Sequence, residues 1–563
     1  MRLTKKLLVL LMAFGLVAAA CAGPPGAPGA PGEQGATGEQ GAKGEQGATG
    51  AAGDDAPAAT PPPPTPMAQR LPLLEVAVGT EDSTLASWWG FQPERGMVLR
   101  QIHEPLVDRH PVTNDFIPML ATDWVQVDDV TWEFEIRKGV TFHDGSPFNP
   151  QAAAFALNYL FSPENDFQWW QRHRTELVAT VIGSSTIRVK TSEYVPLFLQ
   201  WLFELGIPSM RQIMEEPELY ESVPIGTGAY KFVNWERGIS IELAANDDWW
   251  GLTADDAPPS QINFDTIMVL IRPEARTRIA GVEADEIHVA WDVPFEECKS
   301  QLGPSCIIAP GDNVVNIRFD SQHPVMSDHR IKEAIALALD KEGIGLALWG
   351  AGPIGSMDVP GTFGYNPNLE PWPYDQERAK ALVEEARAAG VPVDMELRVS
   401  GRAGFFASVE ELTEIVHFSL GEIGLNVVFE MLENPEHVPL FIEGRGEGTV
   451  SPDRNYIFVS RRGGGGAFDS RKFADTWYHS GACCVVEDHP DVDVAYQAIL
   501  DSRDPAEQDR LLQELHFTFR YDLDKVFYIP IAQLNKFHGV AANLEWAARP
   551  DSQMLYREIL IRP

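Results

Sequence analysis

A chain of 563 residues is too long for one hydrophobic core, so two or three lobes are expected. Hydrophobic residues make up 44% and aromatics 10%, enough for most of it to fold as a globule. The formal net charge of −37 excludes DNA, RNA or an anionic membrane surface as the main partner, since each would be repelled, but leaves room for an acidic ligand in a locally basic pocket.

Residues 1–21 read MRLTKKLLVLLMAFGLVAAAC. Arg2, Lys5 and Lys6 precede an apolar run from Leu7 to Val17, and small residues then lead to Cys21. This is the pattern of a secretory signal, too short to stay as a membrane-spanning helix. Its Ala-Ala-Ala-Cys ending resembles a bacterial lipobox, in which the cysteine is acylated and becomes the mature N-terminus. The expectation is an exported protein, held to the outer face of the cytoplasmic membrane only by a lipid on Cys21. From Gly23 to Gly53 glycine recurs at every third position, the collagen repeat, followed by DDAPAATPPPPTP. Proline is confined to the first triplets, so a monomeric, extended spacer over residues 22–70 is expected rather than a trimer. Such a spacer reaches about 35–40 Å as a loose coil.

The remaining cysteines are Cys298, Cys306, Cys483 and Cys484. An oxidising compartment allows three pairings of these four, and Cys298–Cys306, closing a short loop, is favoured. LPLLEVAVGT reads as a buried strand, WEFEIRKGVTF alternates as a half-exposed one, and INFDTIMVLI is a further apolar strand. His143-Asp144-Gly145, with Gly139, suits a hairpin turn, and Gly226 and Gly228 suit a tight bend as hinge or packing glycines. HRIKEAIALALDKEGIG predicts one helix capped by Ser327 or Asp328, and QERAKALVEEARAAG a second ending at Gly390. Strands alternating with helices imply α/β lobes.

Four blocks in order carry a resemblance: IHEPLVDRHPVTNDFIPMLATDWVQVDDVTWEFEIRKGVTFHDGSPFN, PIGTGAYKFVNWERG, NIRFDSQHPVMSDHRIKEAIALALDKEGI and YDQERAKALVEEARAAGV. The chain resembles the peptide/nickel class (family 5) of solute-binding proteins of ABC importers over nearly all of residues 71–563. That implies a two-lobed periplasmic-binding-protein-like fold of class II with an extra inserted domain. Lobe I is expected at about 71–113, 225–310 and 526–563, the insertion at about 114–224, and lobe II at about 311–525. It also implies no cofactor, and as partners a small or peptide-like solute and a permease–ATPase complex. Family geometry places at the cleft Glu81, Trp88, Trp89, Trp291, Asn316, Arg318, Arg402, Phe405, Arg461, Arg462, Trp477 and Tyr478. The aromatics suit stacking on a ligand, and Arg461 and Arg462 suit a carboxylate or phosphate.

The enzyme alternative finds no HExxH, GxSxG, Walker A loop or strand-linked GxGxxG. Glu410, Glu414 and His417 share a helix face, best read as solvated rather than metal-binding. A hydrolase on the same scaffold and an adhesion stalk are the competing readings. In peptide-binding members resembling this chain, an aspartate pairs with the peptide's α-ammonium group. Aligned through Phe468-Asp469-Ser470 and Phe473, that place falls to Gly466, with Asp469 taking it only on a slip of three residues. Unmodified short peptides are therefore not expected as the principal ligand.

Overall fold

The computed structural model describes residues 70–562 except 82–83, 88–92, 166, 168–169, 171–174, 255–260, 442–450, 452, 464–467, 481 and 483–485. Met67–Pro563 clusters as one unit.

The apolar strand expected at LPLLEVAVGT forms as Leu71–Val78, with Leu74, Val76 and Ala77 fully buried. It pairs in parallel with Phe264–Ile271 and, through Val76 and Ala77, with Val289–Ala290. These are central strands of a seven-stranded sheet completed by Tyr230–Glu236, Ser240–Ala245, Cys306–Ala309 and Lys536–Val540. Burial on both faces explains the near-continuous hydrophobic sequence. A second sheet has the order Val427–Leu432, Leu397–Arg402, Tyr456–Gly463, Asn313–Phe319, Tyr528–Gln533. Every residue of Asn313–Phe319 is buried. A third, four-stranded antiparallel sheet has the order Ala121–Asp128, Thr131–Ile136, Thr186–Thr191, Leu177–Val181, with helix Pro150–Leu160 against it. The half-exposed strand expected in WEFEIRKGVTF is its member Thr131–Ile136. The result is a two-lobed α/β fold carrying an additional small sheet.

The chain passes twice between the two large sheets, from Ala309 to Asn313 and from Gln533 to Lys536. The crossings lie side by side: Leu534 N donates to Asn313 O at 2.8 Å and Gln533 Nε2 to Gly311 O at 2.7 Å. A Cβ on Gly311 would sit 2.0 Å from Leu534 O, so only glycine permits this approach. Strand Tyr528–Gln533 still pairs with Asn313–Phe319, and the chain joins the seven-stranded sheet only at Lys536, later than the boundary at about 526.

Two local expectations change. The predicted single helix is two, His329–Leu337 and Lys341–Trp349. Asp340 caps the second by accepting from Gly343 N at 3.0 Å. The buried Lys341 ammonium donates to Ala336 O and Leu339 O, filling carbonyls that a continuous helix would have bonded internally. At the start of the first helix Asp328, not Ser327, is the cap. Helix Gln376–Ala388 ends as expected, with Gly390 at φ 91°.

Gly226 and Gly228 prove to be packing glycines. Cβ atoms there would lie 2.1 and 2.2 Å from Ile102 O and Gln101 O. Beside them Glu104 accepts from Trp249 Nε1 at 2.9 Å, Trp250 Nε1 at 2.7 Å and Thr227 Oγ1 at 2.7 Å. Burial raises this carboxyl, and the three donors oppose the rise. Two of the sequence blocks thus meet at one buried carboxylate. The Cys298–Cys306 disulfide is present.

Candidate functional site

The candidate site lies where the paired crossings join the two large sheets. On the five-stranded side, Asn313 begins the strand that follows the first crossing. Its Oδ1 accepts from Arg461 Nη1 at 2.5 Å, and Arg461 Nε donates to Phe405 O at 3.4 Å. Two guanidinium groups pack against the Phe405 ring, with Arg402 Cζ 3.3 Å and Arg461 Cζ 4.7 Å from its centroid. Arg402 Nη1 also donates to Asn434 Oδ1 at 3.1 Å. Burial and the neighbouring Arg461 charge lower the Arg402 guanidinium to about 10. Arg402, Phe405 and Arg461 are all partly exposed, and the structure brings these three expected residues together.

Several other expected residues are consumed by the fold. Antiparallel pairing alternates faces, so Arg462, paired with Val314, lies on the sheet face opposite Arg461, paired with Val315. There it is ion-paired with the fully buried Asp358, bonded to Met357 O, and packed on Phe473. Asp358 Oδ2 also accepts from Ser470 Oγ at 2.5 Å and lies 2.9 Å from His516 Nε2. Burial pushes this carboxyl up, but the Arg462 charge and His516 prevail and hold it at about 2. Tyr478 belongs to the same core: its hydroxyl bonds His516 Nδ1 at 2.9 Å and the Tyr528 hydroxyl, and its ring stacks on Phe519 at 3.9 Å. Trp477 packs on Phe473 and Phe441.

Asn316 and Arg318, on that same face of the strand Asn313–Phe319, are 0% exposed. Asn316 Nδ2 donates to Val314 O at 3.2 Å; Arg318 Nη1 donates to Phe441 O at 2.6 Å and the guanidinium lies 4.4 Å from the Phe441 centroid. Burial lowers Arg318 to about 9. Nearby His437 is lowered to about 4 by burial, then by the charges of Arg402 and Arg318.

On the seven-stranded side, Trp291 is buried and stacked on His538 at 4.0 Å, with Trp546 6.3 Å away. Glu81 accepts from Trp235 Nε1 and Gly238 N, each at 2.8 Å, which ties it to the turn between Tyr230–Glu236 and Ser240–Ala245. Trp88, Trp89, Cys21, Cys483, Cys484 and Gly466 lie outside the described residues. Asp469 caps helix Ser470–Trp477 through Arg471 N at 2.9 Å and pairs with the Arg471 guanidinium at 2.5 Å. Asn313, Asp358 and His538 were not foreseen. Asn313 had a usable signal, because it opens the strand whose later members Asn316 and Arg318 were named. Asp358 and His538 had none, since Asp358's partners Arg462 and His516, and Trp291 beside His538, lie more than a hundred residues away.

Glu410, Glu414 and His417 lie along helix Val409–Glu422, and no metal-binding group of three acidic, histidine or cysteine side chains occurs among the described residues. No described helix is long and apolar enough to cross a membrane.

This pair of sheets, joined by two adjacent crossings with a basic, aromatic edge beside them, defines a ligand-binding fold of the two-lobed type. Residues 115–482 match the bacterial extracellular solute-binding proteins, family 5 Middle, and the chain belongs to that family. It is 26% identical over 320 residues to heme-binding protein A of Haemophilus influenzae and 26% identical over 315 residues to the dipeptide-binding protein of Escherichia coli. Each alignment covers 51% of this chain, and 56% and 57% of those relatives, so the chain spans little more than half their length. The fold is similar to a periplasmic binding protein of Helicobacter pylori in complex with a peptide (TM-score 0.69, 19% identity, 88% of this chain and 99% of that one). It is likewise similar to the substrate-binding protein CtaP of Listeria monocytogenes (TM-score 0.74, 17% identity, 88% and 100%).

Proposed function

We propose that the chain is the substrate-binding lipoprotein of an ABC importer, which captures a small organic solute between its lobes and delivers it to a permease–ATPase complex without covalent chemistry. The paired crossings at Gly311 and Leu534 carry this reading. Two lobes joined by a narrow double strand can rotate about it, and a ligand touching both favours the closed state. The leader ending at Cys21 and the glycine- and proline-rich run over 22–70 support a lipid anchor with a spacer, at the outer face of the cytoplasmic membrane. We read the lobe boundaries as expected from the resemblance, with the final return at the second crossing, and the protein as a monomer.

A carrier binds one solute per chain reversibly, whereas a hydrolase turns it over. Solute released from the purified protein is expected chemically intact after prolonged incubation. Conversion that disappears on substituting Arg402 would favour the enzyme. Cys21→Ser is expected to move the protein out of the membrane fraction; unchanged partition and no acyl mass on the N-terminus would rule out the anchor. Asp469 is committed to its helix cap and to Arg471, which supports a principal ligand other than free-amino short peptides. Titration calorimetry with a mixed short-peptide library tests this. Sub-micromolar binding lost on N-acetylation would contradict it.

A further inference from the structure

Arg402 and Arg461 share one ring, and their distances from the Phe405 centroid place the two guanidinium carbons no more than about 8 Å apart. Their polar contacts are all to neutral groups: Asn434 Oδ1 for Arg402, and Asn313 Oδ1 and Phe405 O for Arg461. Neither forms an ion pair among the described residues, although the chain carries a net charge of −37. Each keeps N–H groups uncommitted on a partly exposed side chain. Behind them Arg318 is buried, and its charge and that of Arg402 add to burial in holding His437 uncharged. Holding like charges together without a counter-ion is unfavourable, and an anion between them reverses the sign of the interaction.

We propose that Arg402 and Arg461 clamp one doubly charged tetrahedral group of the ligand, a phosphate monoester or phosphonate, in preference to a single carboxylate. This rests on the reading of the chain as a solute-binding protein. A guanidinium facing an oxyanion through N–H···O⁻ bonds of about 2.8 Å stands roughly 4 Å from the anion's central atom, so one group reaches both arginines. Two negative charges neutralise the pair, whereas one leaves an excess positive charge in place. Asn313 fixes Arg461 directly beside the first crossing, so an anion there also touches the element about which the lobes move.

The test is calorimetric titration of ligand-stripped protein with phenyl phosphate, benzoate and sulfate at pH 7.5 and pH 5. The second ionisation of a phosphate monoester lies near pH 6, so only about a tenth remains dianionic at pH 5. Over that range His437, held at about 4, stays mostly uncharged, and the guanidiniums keep their charge. Phenyl phosphate is expected to bind at least about tenfold tighter than benzoate at pH 7.5 and to weaken about tenfold at pH 5, with sulfate unchanged. Arg402→Gln and Arg461→Gln are each expected to lose about 10- to 100-fold, the Lys variants less, and Arg378→Gln, at an exposed side chain, nothing. Benzoate binding as tightly as phenyl phosphate, equal phenyl phosphate affinity at both pH values, unchanged binding in either Gln variant, or no binding of any probe at millimolar concentration would each overturn the clamp. A neutral or singly charged solute recovered at one per chain would overturn it too, yet leave the solute-binding reading standing.

Discussion

Arg462 and Arg461 are sequence neighbours with opposite fates. Arg462 balances a buried carboxylate, and replacing it with methionine should destabilise the protein by about 3–5 kcal/mol, because the buried Asp358 would lose its guanidinium partner and keep only His516 and Ser470. Urea unfolding measures this; a loss below about 1 kcal/mol would show that the pair is not a structural element. Arg461→Gln should instead leave the urea midpoint nearly unchanged. Glu104 presents a similar case, since Glu104→Ala strands the Trp249, Trp250 and Thr227 donors, and a loss of several kcal/mol is expected. The buried histidines set a pH dependence. Burial holds His103 at about 3, and His143 and His437 at about 4, whereas an unfolded histidine takes up its proton near 6.5. Between those values the unfolded chain binds more protons, so stability falls as pH drops from about 6.5 to about 4, by up to about 1.4 kcal/mol per pH unit for each histidine. Asp358, held at about 2, adds its loss only below the usual carboxylate range. Urea midpoints that stay flat from pH 6.5 to pH 4 would contradict the neutral burial of these rings.

The elements that sequence pattern finds are those whose periodicity is local. The strands at Leu71, Thr131 and Phe264 and the helix at Gln376 formed where apolar spacing and capping residues placed them. The run from His329 to Trp349 kept its apolar face but broke at Asp340, because a cap and a buried lysine offered the backbone better partners than helix continuation did. The cleft was only partly legible. Composition identifies which side chains suit a ligand, but not which sheet face they take, and one residue decides between Arg461 at the edge and Arg462 in the core. Trp291, Trp477 and Tyr478 are aromatic as a ligand wall would be, yet each packs against a ring distant in sequence, His538, Phe441 and Phe519 respectively, which pattern does not pair. The Cys298–Cys306 bridge closes a short loop under the strand Lys536–Val540. Its chain-entropy contribution is about 2–3 kcal/mol, and Cys298→Ser with Cys306→Ser should lower unfolding stability by about that amount. An unchanged urea midpoint would show that native-state strain cancels it.

At the scale of the whole molecule, the additional four-stranded sheet also meets the helical segment between strands Tyr456–Gly463 and Tyr528–Gln533 of the five-stranded sheet. Arg503 pairs with Asp129 at 3.0 Å and lies over the Tyr194 ring at 3.9 Å. A cavity of about 240 Å³ opens beside this contact, lined by Arg109, Trp132, Tyr194, Asp469 and Arg471 among others. Arg109 there donates to Gln200 Oε1 at 2.6 Å, and Arg471 is ion-paired with Asp469. That contact is consistent with lobes that come together on one side as the crossings flex. Ligand is expected to reduce the radius of gyration in small-angle scattering and to raise the unfolding temperature with concentration. A tight ligand that changes neither would exclude closure about the paired crossings.

The most direct test of the solute-carrier account is native mass spectrometry of the protein purified from its own cell envelope, followed by denaturation and identification of what is released. The account predicts one small organic solute per chain, carrying an anionic group, recovered chemically unchanged after prolonged incubation with the folded protein. A solute converted to product at more than one equivalent per chain would contradict it.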